Sequence, residues 1–235
     1  MGSSRLPGKV LQPFAGSSIL DRVLLRLKAW SAQIIVATTT RSEDDAIVAH
    51  AEAHGVAVYR GSATDVLGRF LAATNAEWVL RVCADNPFLQ TDMLNDWWGM
   101  TGEPHDYISF ANAHSIPAIK THWGLFPELI RRSALENAQQ SLVNNPNAAF
   151  YREHVTNYLY THPNRYGLHL LPAPSAIRSR TDLRFTVDDA TDFTLMETIC
   201  KLVSPEASLD ELIHVVDAHP EIRDRMIAQI QRYTK

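Results

Sequence analysis

The stretch IIVATTTRSEDDAIVAHAEAHGVAVY, residues 34–59, decides the fold, because it reads as strand, helix and strand. Its first residues, 34–37, form a short apolar run typical of a buried parallel strand. Ser42 and the acidic residues after it predict a helix start, and Gly55 predicts the helix end before a second strand over 56–59. Such a unit predicts a mostly parallel sheet that binds ligands at the carboxyl ends of its strands.

The same alternation continues on both sides of this unit. A helix with apolar residues at helical spacing precedes it, capped by Ser17 or Ser18 and ending near Trp30. A further helix is predicted over 65–75, and a further strand over 78–83. The pattern therefore predicts an α/β fold built from successive βα units.

Length and composition predict a single domain over residues 1–235. With 235 residues, 46% hydrophobic and 20% charged, the chain can bury a substantial core. The tail over 192–235 reads as helices, punctuated by Pro205 and Pro220. A net charge of −4 gives no general attraction to nucleic acid or to an anionic membrane, so the expected partners are small molecules.

The cysteines and the absence of targeting signals predict a cytoplasmic protein. Cys83 and Cys200 are too few and too far apart in sequence for a disulfide framework or a zinc site. The sequence contains no signal peptide and no long apolar span. A reducing cytoplasm fits this composition best.

The first nine residues, MGSSRLPGK, are typical of a loop that binds phosphate. Gly2, Ser3 and Ser4 allow close backbone approach and offer amide and hydroxyl donors, while Arg5 and Lys9 can each meet phosphate oxygens. The loop is not a Walker motif, because its glycines are spaced differently and valine follows the lysine. An expression leader and a plain polar terminus are the alternatives.

Two aspartates are expected at the same edge of the sheet as this loop. Asp85 follows the strand predicted over 78–83, and Asp188 follows a strand predicted over 185–187. Two carboxylates at one edge could hold a Mg²⁺ ion that also binds triphosphate oxygens. An aspartate after a strand also often caps a helix or shapes a turn, and Asp189 could take the place of its neighbour.

Ordered blocks of sequence carry a family resemblance through nearly the whole chain: residues 2–10 with Pro13, 36–40, 59–67, 81–88, 152–156 and 183–188. Together these blocks resemble the cytidylyltransferases that activate sugars as CMP conjugates. The similarity is greatest to the spore-coat-polysaccharide type, which is related to the acylneuraminate and ketodeoxyoctulosonate cytidylyltransferases.

The resemblance implies a three-layer Rossmann-like nucleotidyltransferase fold, with a mostly parallel sheet and helices on both faces. It divides the chain into a nucleotide-binding part over 1–100, an acceptor and dimer part over 101–190 and C-terminal helices over 191–235. It also implies a first strand before the phosphate loop, whereas the sequence starts at the loop itself. We expect a start codon chosen too late, and poor stability and weak activity of the short form.

The implied reaction is attack of a sugar hydroxyl on the α-phosphorus of CTP, with loss of pyrophosphate and formation of a CMP-sugar. Arg5 and Lys9 would act in catalysis by neutralising charge on the phosphates, and Asp85 and Asp188 would hold Mg²⁺. The implied nucleotide-binding residues are Gly2, Ser3, Ser4, Asp65 and Arg81, and the implied acceptor-binding residues are Glu128, Glu153 and His154. A homodimer is compatible with the resemblance, while nucleic acid and membrane partners are not expected.

Several of these residues also have a plain structural interpretation. Asp65 could be part of a solvated helix face, and His154 could serve packing rather than catalysis. Arg81 lies in an otherwise apolar strand, so it needs a buried acidic or phosphate partner, and Asp85 is one candidate. Phe126 stands where the family carries an aspartate, which leaves the acceptor undetermined.

Two other classes of function remain open on the sequence. A glycosyltransferase on a similar fold would be expected to show an Asp-x-Asp metal pair, whereas Asp85 stands alone in its segment. A catalytically silent nucleotide-binding protein is the other alternative, because of the missing first strand.

Overall fold

The computed structural model describes residues 5–28, 30 and 32–233, so Gly2, Ser3 and Ser4 of the predicted phosphate loop lie outside the described residues. In the described part of the chain the strands are β1 (Ile35–Thr39), β2 (Ala57–Gly61), β3 (Trp78–Arg81), β4 (Tyr107–Ala111), β5 (Glu128–Arg131) and β6 (Leu168–Pro172). The helices there are α1 (Ile19–Lys28), α2 (Asp45–Ala53), α3 (Val66–Ala73), α4 (Leu94–Gly99), α5 (Arg132–Ser141), α6 (Ala148–Glu153), α7 (Asn157–Thr161), α8 (Ser175–Arg178), α9 (Ala190–Cys200), α10 (Leu209–Ala218) and α11 (Pro220–Tyr233).

Helix α1 begins where the sequence predicts, because Ser18 caps it. The Ser18 hydroxyl accepts a hydrogen bond from the backbone N–H of Asp21 at 3.0 Å, and the Asp21 carboxylate accepts one from the backbone N–H of Ser18 at 2.9 Å. This reciprocal pair satisfies amides of the first turn that have no partner within the helix. Ile19, Val23 and Leu27 then bury the apolar face of the helix.

Strands β1 and β2 form a parallel pair, with Ile35 opposite Ala57. Helix α2 connects them after a short 3₁₀ turn over Ser42–Asp44. Gly55 follows the helix with a φ of 69°, a left-handed conformation that residues with a side chain rarely adopt. The strand–helix–strand unit predicted from residues 34–59 is therefore confirmed.

The other four strands of the described chain form one sheet in the order β3–β5–β4–β6. Strand β5 is antiparallel to both of its neighbours, and β4 and β6 are parallel. Strands β3, β4 and β6 therefore run in one direction, and β5 alone is reversed. The predicted α/β class with mostly parallel strands is confirmed, while the reversal of β5 was not predicted.

A cavity of about 720 Å³ lies between the two sheets. Its walls include residues 34–37, at β1, and residues 78–84, at and after β3. Among the described strands, β1 pairs only with β2 and β3 only with β5, so each keeps an edge without a ladder partner. One more strand placed between β1 and β3 would join the two sheets and satisfy both edges.

The largest apolar cluster lies beneath the C-terminal helices. Phe185 and Val187 are fully buried in it, together with Leu195 and Met196 of α9 and Met226 of α11. The segment that leads to Asp188 is therefore anchored by packing rather than by a sheet. Among the described helices, none combines the length and the apolar character needed to cross a membrane.

Candidate active site

Two distant chain segments end side by side at the candidate site. Asp85 follows β3, and Asp188 ends an extended segment that precedes α9. The backbone N–H of Val187 donates to the carbonyl of Asp85 at 3.1 Å, and that of Phe185 donates to the carbonyl of Trp123 at 3.2 Å. These isolated bonds do not continue into a ladder, so the strand predicted before Asp188 is not formed.

Gly124 allows the close approach of these segments. Its φ is 60°, and a Cβ built on it would lie 2.8 Å from the backbone nitrogen of Thr186. A side chain would therefore strain the backbone and collide with a main-chain atom. Glycine at this position sets the distance between its own loop and the segment that carries Asp188.

Lys9 links the two acidic segments. Its ammonium group donates to Asp85 Oδ2 at 2.7 Å and also to the carbonyl of Val187. The turn that contains Lys9 is closed by a bond from the backbone N–H of Leu11 to the carbonyl of Gly8, whose φ is 71°. With only 13% of its side chain exposed, Lys9 is a fixed cation that contacts both segments.

Two arginines bind the carboxylate of Asp188, one at each of its oxygens. Arg5 donates to Oδ1 at 3.2 Å, and Arg184 donates to Oδ2 at 2.7 Å. The Arg184 side chain is 1% exposed and also makes two bonds to Asp192, at 2.7 and 2.8 Å. A buried guanidinium with two carboxylate partners has its charge compensated, and it orients both of them.

Asp189 has a different role from its neighbour. It caps α9 by accepting hydrogen bonds from the backbone N–H groups of Thr191 and Asp192, both at 2.9 Å. Its carboxylate also accepts from Gln229 and from the hydroxyl of Tyr233. The alternative in which Asp189 replaces Asp188 is therefore unfavourable, because its oxygens already hold α9 and α11.

His122 lies in the same cluster and was not singled out from the sequence. Its Nδ1 is 2.9 Å from a guanidinium nitrogen of Arg184, and since that nitrogen can only donate, Nδ1 accepts and Nε2 carries the proton. Burial, followed by the positive charge of Arg184, lowers the pKa of His122. The ring is therefore held neutral beside the carboxylates.

A cavity of about 330 Å³ opens over this cluster. Its walls combine charged groups with an apolar side, and among the residues that line it are Arg5, Asp85, His122, Phe126, Arg184, Asp188 and Tyr233. Tyr233 lies under both arginines, with its ring centroid 4.7 Å from the guanidinium of Arg5 and 4.9 Å from that of Arg184. The sequence indicated Arg184 only as part of the block 183–188 that carries the family resemblance, and it gave no signal for Tyr233.

The structure does not bring Asp65, Arg81 or Glu128 to this cavity. Asp65 caps α3, accepting from the backbone N–H of Gly68 at 2.8 Å. Arg81 forms an ion pair with Glu128 rather than with Asp85. Glu128 is 1% exposed and also accepts from the hydroxyl of Tyr107 at 2.6 Å, so its carboxylate is fully engaged inside the sheet.

Glu153 and His154 also lie away from the cavity, on the exposed end of α6. Helix α6 ends at Glu153, because His154 has a ψ of 72°, outside the helical region, and α7 starts only at Asn157. The ring of His154 packs against Phe150, with centroids 4.6 Å apart. This contact is the packing role that the sequence left open.

The donor set at the site suits a hard divalent cation. Asp85 and Asp188 supply carboxylate oxygens, which are the ligands that Mg²⁺ prefers. Of the described residues, Lys9 alone donates a hydrogen bond to the carboxylate of Asp85, at Oδ2, which leaves Oδ1 for a ligand. Lys9 contacts the carboxylate of Asp85, and Arg5 contacts that of Asp188. The two carboxylates therefore stabilise positive charge at this position.

An α/β fold that brings a cationic loop together with two carboxylates from distant chain segments is the arrangement of a nucleotidyltransferase. The family model described as "Cytidylyltransferase" matches residues 1–216. The chain therefore belongs to the cytidylyltransferase family, and it is a CTP-dependent nucleotidyltransferase.

Curated relatives and solved structures agree with this family. The chain is 32% identical over 231 residues to the uncharacterized protein MJ1063 of Methanocaldococcus jannaschii, covering 95% of this chain and 89% of that protein. It is 30% identical over 234 residues to the spore coat polysaccharide biosynthesis protein SpsF of Bacillus subtilis, covering 94% and 92%. A cytidylyltransferase structure from Leptospira borgpetersenii superposes with a TM-score of 0.81 at 28% identity, covering 94% and 92%.

Two more distant structures share the fold. A CMP:2-keto-3-deoxy-manno-octonic acid synthetase complexed with CTP superposes with a TM-score of 0.60 at 17% identity, covering 85% of this chain and 94% of that one. Rv0371C of Mycobacterium tuberculosis, in complex with manganese, superposes with a TM-score of 0.58 at 14% identity, covering 83% and 94%. The family assignment decides against a glycosyltransferase and against a silent binding protein.

Proposed function

We propose that the protein transfers CMP from CTP to a hydroxyl of a sugar, with release of pyrophosphate, and that the sugar is a keto-acid sugar used in surface polysaccharide or glycan synthesis. The observation that carries the proposal is the contact of Lys9 with Asp85 and of Arg5 with Asp188 beside one cavity. Two cations and two carboxylates at one place match the needs of a triphosphate with a bound divalent ion.

The chemistry needs no protein nucleophile. The sugar hydroxyl attacks the α-phosphorus, the bond from that phosphorus to the bridging oxygen of the β-phosphate breaks, and pyrophosphate leaves. Lys9 and Arg5 would neutralise charge on the phosphates and on the leaving group, so catalysis rests on positioning and electrostatics. Mg²⁺, held by Asp85 and Asp188, would add further positive charge against the triphosphate.

The substrate class is supported by two of the relatives. SpsF is named for spore coat polysaccharide biosynthesis, and the distant CMP:2-keto-3-deoxy-manno-octonic acid synthetase was solved with CTP. The ring of His122, which contacts Arg184, lines the same cavity. The proposal also includes a homodimer and a cytoplasmic location, which suits the free thiols of Cys83 and Cys200.

The test is a pyrophosphate-release assay with each of the four nucleoside triphosphates, Mg²⁺ and a panel of keto-acid sugars. We expect release that is selective for CTP and that requires both one sugar and the divalent ion. Equal release from all four triphosphates would contradict the CTP assignment. Release with CTP and an aldose, but with no keto-acid sugar, would contradict the proposed acceptor class.

A Lys9→Ala variant tests the central contact. Loss of one preorganised charge donor typically lowers turnover by about 10²–10³-fold, so we expect kcat to fall by that order. The melting temperature should change little, because Asp85 is partly exposed and water can replace the ammonium group. Lys201→Ala, at an exposed lysine outside the cavity, is the control. Full turnover in a normally melting Lys9→Ala protein would refute the role of Lys9.

A further inference from the structure

Three ligand-type side chains meet on the surface formed by α1 and α2, away from the phosphate cluster. They are Asp21 of α1 and His50 of α2, with His54 at the carboxyl end of α2. One ligand atom from each lies within 4.8 Å of the other two. The two histidines are one helical turn apart and therefore share a helix face, a spacing that places two imidazoles on one metal ion.

The proton positions at His54 leave a lone pair directed at a carboxylate. Its Nδ1 is 2.8 Å from the backbone carbonyl of His50, and because a carbonyl can only accept, Nδ1 carries the proton. In the neutral ring Nε2 is therefore an acceptor, and it lies 3.3 Å from Asp21 Oδ1, which is also an acceptor. Either a proton on this nitrogen or a metal ion between the two atoms would satisfy both of them.

The distances are compatible with a metal ion. Ligands on a tetrahedral Zn²⁺ with bonds of about 2.1 Å lie about 3.4 Å apart, close to the separation of His54 Nε2 and Asp21 Oδ1. His50 Nε2 donates a hydrogen bond to the same oxygen at 2.7 Å, so metal binding requires that this nitrogen lose its proton and that the ring rotate slightly outward. The other oxygen of Asp21 already accepts from the backbone N–H and the hydroxyl of Ser18, which fixes the carboxylate.

We propose that Asp21, His50 and His54 bind a divalent transition metal, with Zn²⁺ as the ion that two imidazoles and one carboxylate favour. The ion would bridge α1 to α2, with water completing its coordination. Since the backbone N–H of Leu20 in α1 donates to the carbonyl of Val10, next to Lys9, the metal would stiffen the support of that loop. This site is separate from the Mg²⁺ position proposed at Asp85 and Asp188, which offers only oxygen ligands.

The experiment is calorimetric titration of ZnCl₂ into chelator-treated full-length protein, with melting curves in the presence and absence of Zn²⁺. We expect one Zn²⁺ per chain and a higher melting temperature with the metal. His54→Ala removes an exposed ligand and should weaken binding by at least about tenfold without unfolding the metal-free protein.

His219→Ala is the matched control, since His219 also contacts a carboxylate, that of Glu221, but is not among the three clustered ligands. It should leave Zn²⁺ binding unchanged. Asp21→Asn, which keeps one oxygen for Ser18, provides a second ligand variant. Absence of Zn²⁺ binding, or a loss in His54→Ala smaller than tenfold or matched by His219→Ala, would overturn the proposal.

Discussion

Two adjacent aspartates at the start of α9 have separate functions. Asp188 contacts the arginines at the cavity, whereas Asp189 caps the helix. We expect Asp188→Ala to lower kcat/KM for CTP by about 10²–10³-fold with a small change in melting temperature. Asp189→Ala should instead destabilise the fold by about 0.5–2 kcal/mol, because it removes the cap. Thermal melts and pyrophosphate assays on both variants separate the roles, and the opposite pattern would reverse our assignment.

His122 gives the stability of the protein a defined dependence on pH. Its pKa is lowered from the usual 6.5 by burial and by Arg184, so below that pH the unfolded chain binds more protons than the folded one. The associated stability is complete above about pH 6.5 and is lost as the pH falls through the folded pKa.

The measurement is the melting temperature of the wild type and of His122→Asn, between about pH 5 and about pH 7.5. We expect the wild type to lose more stability on acidification than the variant. The comparison isolates His122, because every other ionisable group is common to both proteins. Parallel curves would contradict the assigned shift.

Single residues were predictable from the sequence where their chemistry is local. Lys9, Arg5, Asp85 and Asp188 were found from a cationic loop and from carboxylates after strands, and the structure brings these four together. Arg184, in contrast, acts through partners that only tertiary packing supplies. The same holds for Arg81, whose partner Glu128 lies on a strand that is distant in sequence.

Among the elements, the loop around Gly124 should tolerate substitution poorly. Gly124→Ala places a methyl group 2.8 Å from the backbone of Thr186 at a positive φ, so we expect a loss of at least about 1 kcal/mol and reduced turnover. Gly99→Ala is the control, because a Cβ there meets nothing within 4 Å. Chemical denaturation measures both, and equal stability of the two variants would contradict the close approach.

Elements with strong end signals were the ones that the sequence could define. Helix α1 has its cap at Ser18, α2 is followed by Gly55, and α11 starts at Pro220. Strand β5 and the broken helix after Glu153 gave no comparable signal, because strand direction and a helix break depend on contacts with remote segments. The segment before Asp188 was mistaken for a strand because its apolar residues are buried by helices instead.

For the molecule as a whole, the cavity between β1 and β3 predicts a gain from an added strand. A short segment rich in valine and isoleucine, joined through a loop to the amino terminus, could pair with both strand edges and fill the cavity. Each kcal/mol gained should raise the melting temperature by about 2–4 °C in a chain of this size. We therefore expect an increase of several degrees.

The control for that experiment is a glycine–serine extension of equal length, which supplies no apolar side chains. It should leave the melting temperature unchanged. If both extensions act alike, the cavity does not accept a strand.

The expected division into one domain with nucleotide, acceptor and helical parts stays a prediction, since it concerns folding units rather than contacts.

Helix α11 lies beyond the residues that the family model matches, which end at 216. Yet this helix supplies Tyr233 to Arg5 and Arg184, and Gln229 to Asp189. Substitutions in this helix would therefore change the catalytic rate even when residues 1–216 are unchanged. Two enzymes with the same motifs would then differ in rate because Tyr233 and Gln229 position the site differently.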